Sequence, residues 1–327
     1  MNLQTLIPLK KQASNLIGYN SSSLLFGSCF SENIGDKFEY FKFQTTINPF
    51  GILFHPLAIE NLITRAINEE YYSEADLHFH NEQWYCLDAH SKLNSISKND
   101  LVQNLNDQID STNAQLKTAT HIIITLGTSW VYRHITSDAI VANCHKLPQK
   151  QFTKALLSVD DITKSLESII TLVKRVNPKV IFIFTVSPVR HIKDGFIENT
   201  QSKSHLITAI HSVLNQNSTI KNSQLFYFPS YEIIMDELRD YRFYNADMLH
   251  PNTIAIDYIW EKFKRVWFSE DTTETMRKVD SIQRDLAHKP FNSNSEAHKK
   301  FKHKLQTKIE NLQKAYPQFK TFYKPLL

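Results

Sequence analysis

Five short apolar runs, separated by amphipathic stretches, do most to limit what this chain folds into. The strongest is KVIFIFTV at residues 179–186; the others fall at 23–26, 41–47, 121–126 and 224–228. Strands that are apolar almost without interruption are buried on both faces, which is the habit of parallel sheets. Helical patterns alternate with them at about residues 30–40, 57–67, 100–116, 161–176, 200–214 and 254–267. This β-α alternation predicts a parallel sheet covered by helices on both faces, a three-layer αβα sandwich. Two hairpins interrupt it. One lies near 77–90, turning at Asn81-Glu82, and one near 130–143. A polar stretch after Pro290 leads to a helix with Phe301, Leu305, Ile309, Leu312 and Tyr316 spaced by three and four, which packs on the body or on a partner. The division is therefore a body over residues 1–270 and a basic helical extension over 271–327.

Composition excludes several classes. There are six glycines in 327 residues, where average usage gives roughly 23. No two are closer than eight residues, so neither a dinucleotide fingerprint nor a Walker loop is present. Three cysteines without a CxxC pair argue against a disulfide framework or a four-ligand zinc site. No secretory signal is read at the N-terminus and no apolar run reaches membrane-spanning length, so the expectation is a cytoplasmic protein without a membrane span. From Asp271 onward 12 Lys and Arg face 6 Asp and Glu, leaving 25 against 27 elsewhere. Lys299, Lys300, Lys302, Lys304 and Lys308 read as a solvated helix face rather than a nucleic-acid module.

Ligands of open parallel sheets bind beyond the carboxyl ends of the strands. There the sequence places Gly27-Ser28-Cys29, Asn48-Pro-Phe-Gly51, Gly127-Thr-Ser129-Trp130 and Ser187-Pro-Val-Arg190, with Asp247-Met-Leu-His250 beyond the last strand. These are the parts of a Ser-His-Asp hydrolase. Ser28 at a strand-to-helix junction is the nucleophile, His250 its base and Asp247 the group that orients the imidazole. Gly51 and amides near Gly127 are candidate oxyanion donors. The plainer alternatives are a helix N-cap for Ser28 and a local capping pair, ahead of a helix opening near Asn252, for Asp247 and His250.

The stretch LLFGSCFSENIG resembles the signature of the GSCFA family, a branch of the SGNH (GDSL-like) esterase and lipase superfamily. The resemblance continues through INPFGILFHP, ITLGTSWVY, VANCHKLP, TVSPVRHIKDGFIEN, YFPSYEIIMDELRDYRFY and DMLHPN, over roughly residues 20–265. It implies a five-stranded parallel sheet of SGNH, flavodoxin-like type. It also implies Ser28 as nucleophile, Asp247 and His250 as its partners, and an oxyanion site of the Ser28 amide and Gly51. The block III asparagine of the superfamily is replaced by Ser129, so the third donor is Ser129 itself, Asn48 or Asn143. The implied reaction is hydrolysis of an ester, such as an O-acetyl or short acyl group on a carbohydrate, through an acyl-enzyme and without a cofactor. Acyl transfer at the same residues and a non-catalytic carbohydrate-binding or scaffold role are the alternatives.

Other residues bear on the site. Cys29 is a candidate thiol nucleophile that helical geometry turns away from Ser28. Cys144 and His145 are candidate pocket residues. Arg190 holds either a substrate anion or Asp194 or Glu198. Trp84 and His90 are candidate wall residues of the first hairpin, with Asp88 beside them. His78, His80 and Cys86 are not read as metal ligands, because a two-residue turn pairs His78 with Tyr85 and points Cys86 to the opposite face.

Overall fold

The computed structural model describes residues 4–216, 224–319 and 322. The chain alternates β1 (Ser22–Gly27), α1 (Cys29–Tyr40), β2 (Gln44–Ile47) and α2 (Pro56–Asn68) before a hairpin, β3 (Leu77–His80) and β4 (Gln83–Cys86). Then follow α3 (Lys98–Thr118), β5 (His121–Leu126), β6 (Trp130–His134), β7 (Ala139–Val141), β8 (Phe152–Leu156), α4 (Val159–Val176) and β9 (Ile181–Val186). The last elements are α5 (Phe196–Gln216), β10 (Leu225–Tyr227), α6 (Ser230–Glu232), α7 (Thr253–Trp267), α8 (Thr272–Ala287) and α9 (Glu296–Ala315).

The main sheet is parallel, in the order β10-β9-β5-β1-β2. Every residue of β5 and β9 is buried, which is why those two strands read as nearly unbroken apolar runs. Strand order reverses between β1 and β5, and a crevice opens at the carboxyl ends of such a pair. On one face α2, α3, α4 and α5 pack around Leu24, Phe26, Ile122, Ile124, Phe182 and Phe184. On the other, α1, α7, α8 and α9 pack around Leu25, Ile123, Ile181 and Ile183. The alternation along each strand thus feeds two cores.

The predicted second strand is shorter than expected. α1 closes with capping bonds at Phe41, and Lys42 takes a left-handed φ of 65°, so pairing begins only at Gln44. α5 starts four residues earlier than its pattern suggested, immediately after Gly195. The first hairpin has the expected register, His78 opposite Tyr85 and His80 opposite Gln83, with positive φ at both turn residues. The second is part of a three-stranded sheet, β7-β6-β8, whose third strand the sequence reading passed over.

α8 is a separate helix at the start of the extension, with Met276, Val279, Ile282 and Leu286 spaced by three and four among charged residues. α9 folds back on the body. Leu305 and Leu312 are buried in the second core, and the Tyr316 hydroxyl bonds Thr275 Oγ1 at 2.9 Å. Lys299 pairs with Glu296 and Lys308 with Asp285, both on the surface. No helix among the described residues is long and apolar enough to cross a membrane.

His55 ties α2 to the small sheet. Its Nδ1 accepts the Ala58 amide at 3.2 Å as the helix cap, and its Nε2 donates to Val141 O at 3.1 Å. Burial lowers its pKa to about 4. The unfolded chain, with an ordinary histidine value near 6.5, therefore takes up a proton that the folded protein refuses. Stability is full above about pH 6.5 and falls as the pH drops toward 4. At pH 5 this one side chain accounts for a loss of about 2 kcal/mol. In His55→Asn, which keeps a capping side chain, the unfolding free energies from urea titrations at pH 7 and pH 5 should draw closer by that amount.

Candidate active site at the carboxyl edge of the sheet

The first strand delivers Ser28 to the end of α1. Gly27 has φ 133°, and a Cβ there would overlap the carbonyl oxygen of Thr125 on β5. Only glycine lets β1 turn this close to its neighbour. Ser28 is fully buried and serves as the N-cap of α1, its Oγ accepting the Phe30 amide at 3.3 Å. The Ser28 amide donates to Thr125 O at 3.1 Å. Cys29 is the first residue of the helix, and burial pushes its thiol up from the ordinary value.

Beyond the last strand, α6 runs into a π-helical turn, Ile233–Leu238, and the chain then loops to Asp247 and His250. Asp247 Oδ2 lies 2.6 Å from His250 Nδ1. Its Oδ1 accepts the amides of Leu249 at 2.9 Å and His250 at 3.0 Å. These two amides and the imidazole hold the carboxyl at about pKa 2, so it is a carboxylate throughout the neutral range. The cap of α7 is Asn252, whose side chain accepts the Ala255 amide, so that role does not fall to Asp247 or His250. Both acid and base are about half exposed. Among the described residues no hydrogen bond joins Ser28 to His250. The Arg190 amide donates to Leu249 O at 3.4 Å, tying the loop after β9 to the His250 loop, and Lys203 lies in electrostatic reach of both Cys29, next to Ser28, and His191, which in turn is in reach of His250.

The candidate oxyanion donors meet different fates. The Gly51 amide closes a turn on Asn48 O at 2.7 Å, and the Gly127 amide donates to Phe54 O at 2.8 Å. Gly51 is glycine for a steric reason: its φ is 73° and a Cβ would run into that of His90. Ser129 faces α5, where its hydroxyl bonds Ser202 O and Oγ, both at 3.1 Å. Asn143 uses Oδ1 to accept the His145 amide at 2.8 Å. Asn48 differs. Its Oδ1 accepts the Gly27 amide at 2.9 Å, while its buried Nδ2 has no partner. That unspent donor belongs to the side chain bonded next to Ser28.

Cys144 and His145 line a cavity of about 340 Å³ with Phe54, Thr128 and Trp130. Burial raises the Cys144 thiol to about 11 and lowers His145 to about 4, so both are uncharged at neutral pH. His145 Nε2 donates to Cys86 O at 2.8 Å. His90 stands over Gly51 and accepts the Lys92 amide at 3.3 Å. Trp84 packs on Phe79 under the Lys98 ammonium and lines neither this cavity nor the one beside Arg190. Arg190 forms no ion pair with Asp194 or Glu198 among the described residues; Asp194 pairs with Lys154 at 2.5 Å.

Sequence reading passed over Lys203. It is 1% exposed on α5, and its Nζ donates to Gly127 O at 2.7 Å and Ser187 O at 2.8 Å. It therefore joins the ends of β5 and β9. Burial lowers its pKa to about 7. The available signal was a lysine in register with Leu206, Ile210 and Val213, the buried stripe of the same helix.

No protein with a curated description matches the chain. The sequence model of the GSCFA family matches residues 22–263, and that of the C-terminal domain of GSCFA domain proteins matches 279–322. The first match spans both loops of the candidate site and the second covers most of α8 and all of α9: the chain belongs to the GSCFA family.

Proposed function

We propose that this protein is a serine hydrolase of SGNH type that cleaves an ester through an acyl-enzyme on Ser28. The observation that carries the reading is the Asp247–His250 pair. One carboxylate oxygen is fixed by two amides and the other holds the ring at 2.6 Å. A carboxylate so held keeps the proton on Nδ1 and leaves Nε2 as the base. In the reaction His250 takes the Ser28 proton as Oγ attacks the carbonyl, then returns it to the leaving alkoxide. Water repeats the sequence on the acyl-enzyme. Asn48 Nδ2 supplies a donor for the oxyanion. Catalytic hydrogen bonds are often loose in ligand-free structures and tighten in the complex. On this reading substrate binding exposes Ser28 and brings it to His250. A sugar carrying an O-acetyl or short acyl group is the substrate class that the SGNH resemblance suggests.

A non-catalytic role draws its support from the burial of Ser28 and the committed amides of Gly51 and Ser28. A fluorophosphonate probe separates the two. Labelling that maps to Ser28, is absent in Ser28→Ala and is weakened in His250→Ala supports the hydrolase. A folded protein that is neither labelled nor active on aryl acetates supports a binding module. Asn48→Asp retains the acceptor for the Gly27 amide but replaces the donor with oxygen. It should lower kcat on aryl acetates by about 100-fold to 1,000-fold, and an unchanged kcat would exclude Asn48 from the oxyanion site.

A further inference from the structure

We infer that Arg190 forms an anion-binding subsite beside His250, so that the preferred ester carries a negatively charged group on its alcohol portion. The inference rests on the hydrolase reading for the word ester, but the subsite itself is argued from geometry. Arg190 follows β9, and its amide bonds Leu249 O in the loop that carries Asp247 and His250. Its Nε is buried and has no hydrogen-bond partner. Among the described residues no carboxylate pairs with its guanidinium. The two nearest in sequence are accounted for: Asp194 is held by Lys154 at 2.5 Å, and Glu198 makes no ion pair with it.

Arg190 lines a cavity of about 280 Å³ with Arg239, Asp240, Tyr241, Tyr244 and Met248. The one carboxylate in this wall, Asp240, is bonded to the Arg242 amide at 2.8 Å and to its guanidinium at 3.0 Å. The cavity is therefore left with two arginines that lack a counter-ion among the described residues. A buried N–H without a partner costs free energy unless a ligand fills it, and a guanidinium fork matches the two oxygens of a carboxylate or phosphate.

The rim is apolar. Tyr241 is 70% exposed and Met248 48%, and Phe196, 60% exposed, lies 5.6 Å from the Arg190 guanidinium. Isolated exposed apolar residues are ordinary, but three around one cation add contact for the organic part of a ligand whose anionic group the guanidinium holds. Met248 of the cavity wall lies between Asp247 and His250 in the chain, so the cavity adjoins the loop that carries the imidazole. The imidazole protonates the leaving alkoxide in acyl transfer. The anion is thereby placed on the alcohol, not on the acyl group.

Two measurements test this. The first compares kcat/KM for para-acetoxybenzoate and its neutral isostere para-acetoxybenzamide. The wild type should favour the carboxylate by about tenfold or more, and in Arg190→Gln the ratio should fall to about one. Equal kcat/KM for the two esters in the wild type would overturn the proposal. The second needs no chemistry: about 10 mM inorganic phosphate, at constant ionic strength, should raise the wild-type Tm by about 2 °C and leave that of Arg190→Gln unmoved. No shift in the wild type, or the same shift in the variant, would overturn the subsite. If phosphate stabilises only the wild type while Ser28 is not labelled by fluorophosphonate, the subsite stands and the hydrolase reading fails.

Discussion

Ser28→Ala is expected to lower the hydrolysis of aryl acetates by roughly ten-thousand-fold to a million-fold, the cost of removing a triad serine. The same substitution removes the cap of α1, worth about 1 kcal/mol, so lost activity must be separated from lost stability. Ser28→Gly does this, since glycine at an N-cap costs only a few tenths of a kcal/mol relative to serine. Both variants should lack activity, and only Ser28→Ala should unfold measurably earlier in urea. Wild-type turnover in either variant would remove Ser28 from the chemistry. Wild-type turnover combined with lower stability in Ser28→Ala would leave it with the capping role alone. Two neighbours of the reaction keep their charge states at neutral pH. Asp247 is ionised down to about pH 2, and the Cys29 thiol next to Ser28 is held protonated by burial.

The strands and the loops at their ends were legible because burial leaves a pattern. A strand covered on both faces must be apolar almost throughout, as β5 and β9 are, and the residues that follow it are then fixed at the ligand edge. β8 left no such pattern. Of its five residues Thr153, Lys154 and Ala155 are exposed, and it pairs with a strand that already had a hairpin partner.

What the residues around Ser28 do with their hydrogen bonds was not legible at all. Gly51 and Ser129 stand where donors are expected, yet one amide closes a turn on Asn48 and one hydroxyl faces Ser202. Such commitments depend on distances between segments remote in sequence. The Asp247–His250 pair was legible because its geometry is local: two residues separate the partners, and the loop supplies both amides.

Lys203→Met should lower the stability of the whole domain by about 2–6 kcal/mol, through two carbonyls left without a donor at about 1–3 kcal/mol each. Methionine fills nearly the same volume, so the loss reads the missing hydrogen bonds rather than a cavity. The two carbonyls belong to Gly127 and Ser187, the residues immediately beyond β5 and β9. Both residues are buried, and both segments run past the candidate site. A charge on Lys203 is not required for the clamp. At the pKa of about 7 set by burial the side chain is a mixture of ammonium and amine near neutral pH, and an amine still carries two N–H groups for two acceptors. The clamp should accordingly survive from pH 6 to pH 8; because the folded lysine gives up its proton above about pH 7 while the unfolded one, near 10.5, keeps it, the stability difference between wild type and variant should widen by about 1 kcal/mol across that range. A variant within about 1 kcal/mol of the wild type would show that the carbonyls find other partners. A difference that collapses above pH 7 would show that only the ammonium holds the strand ends together.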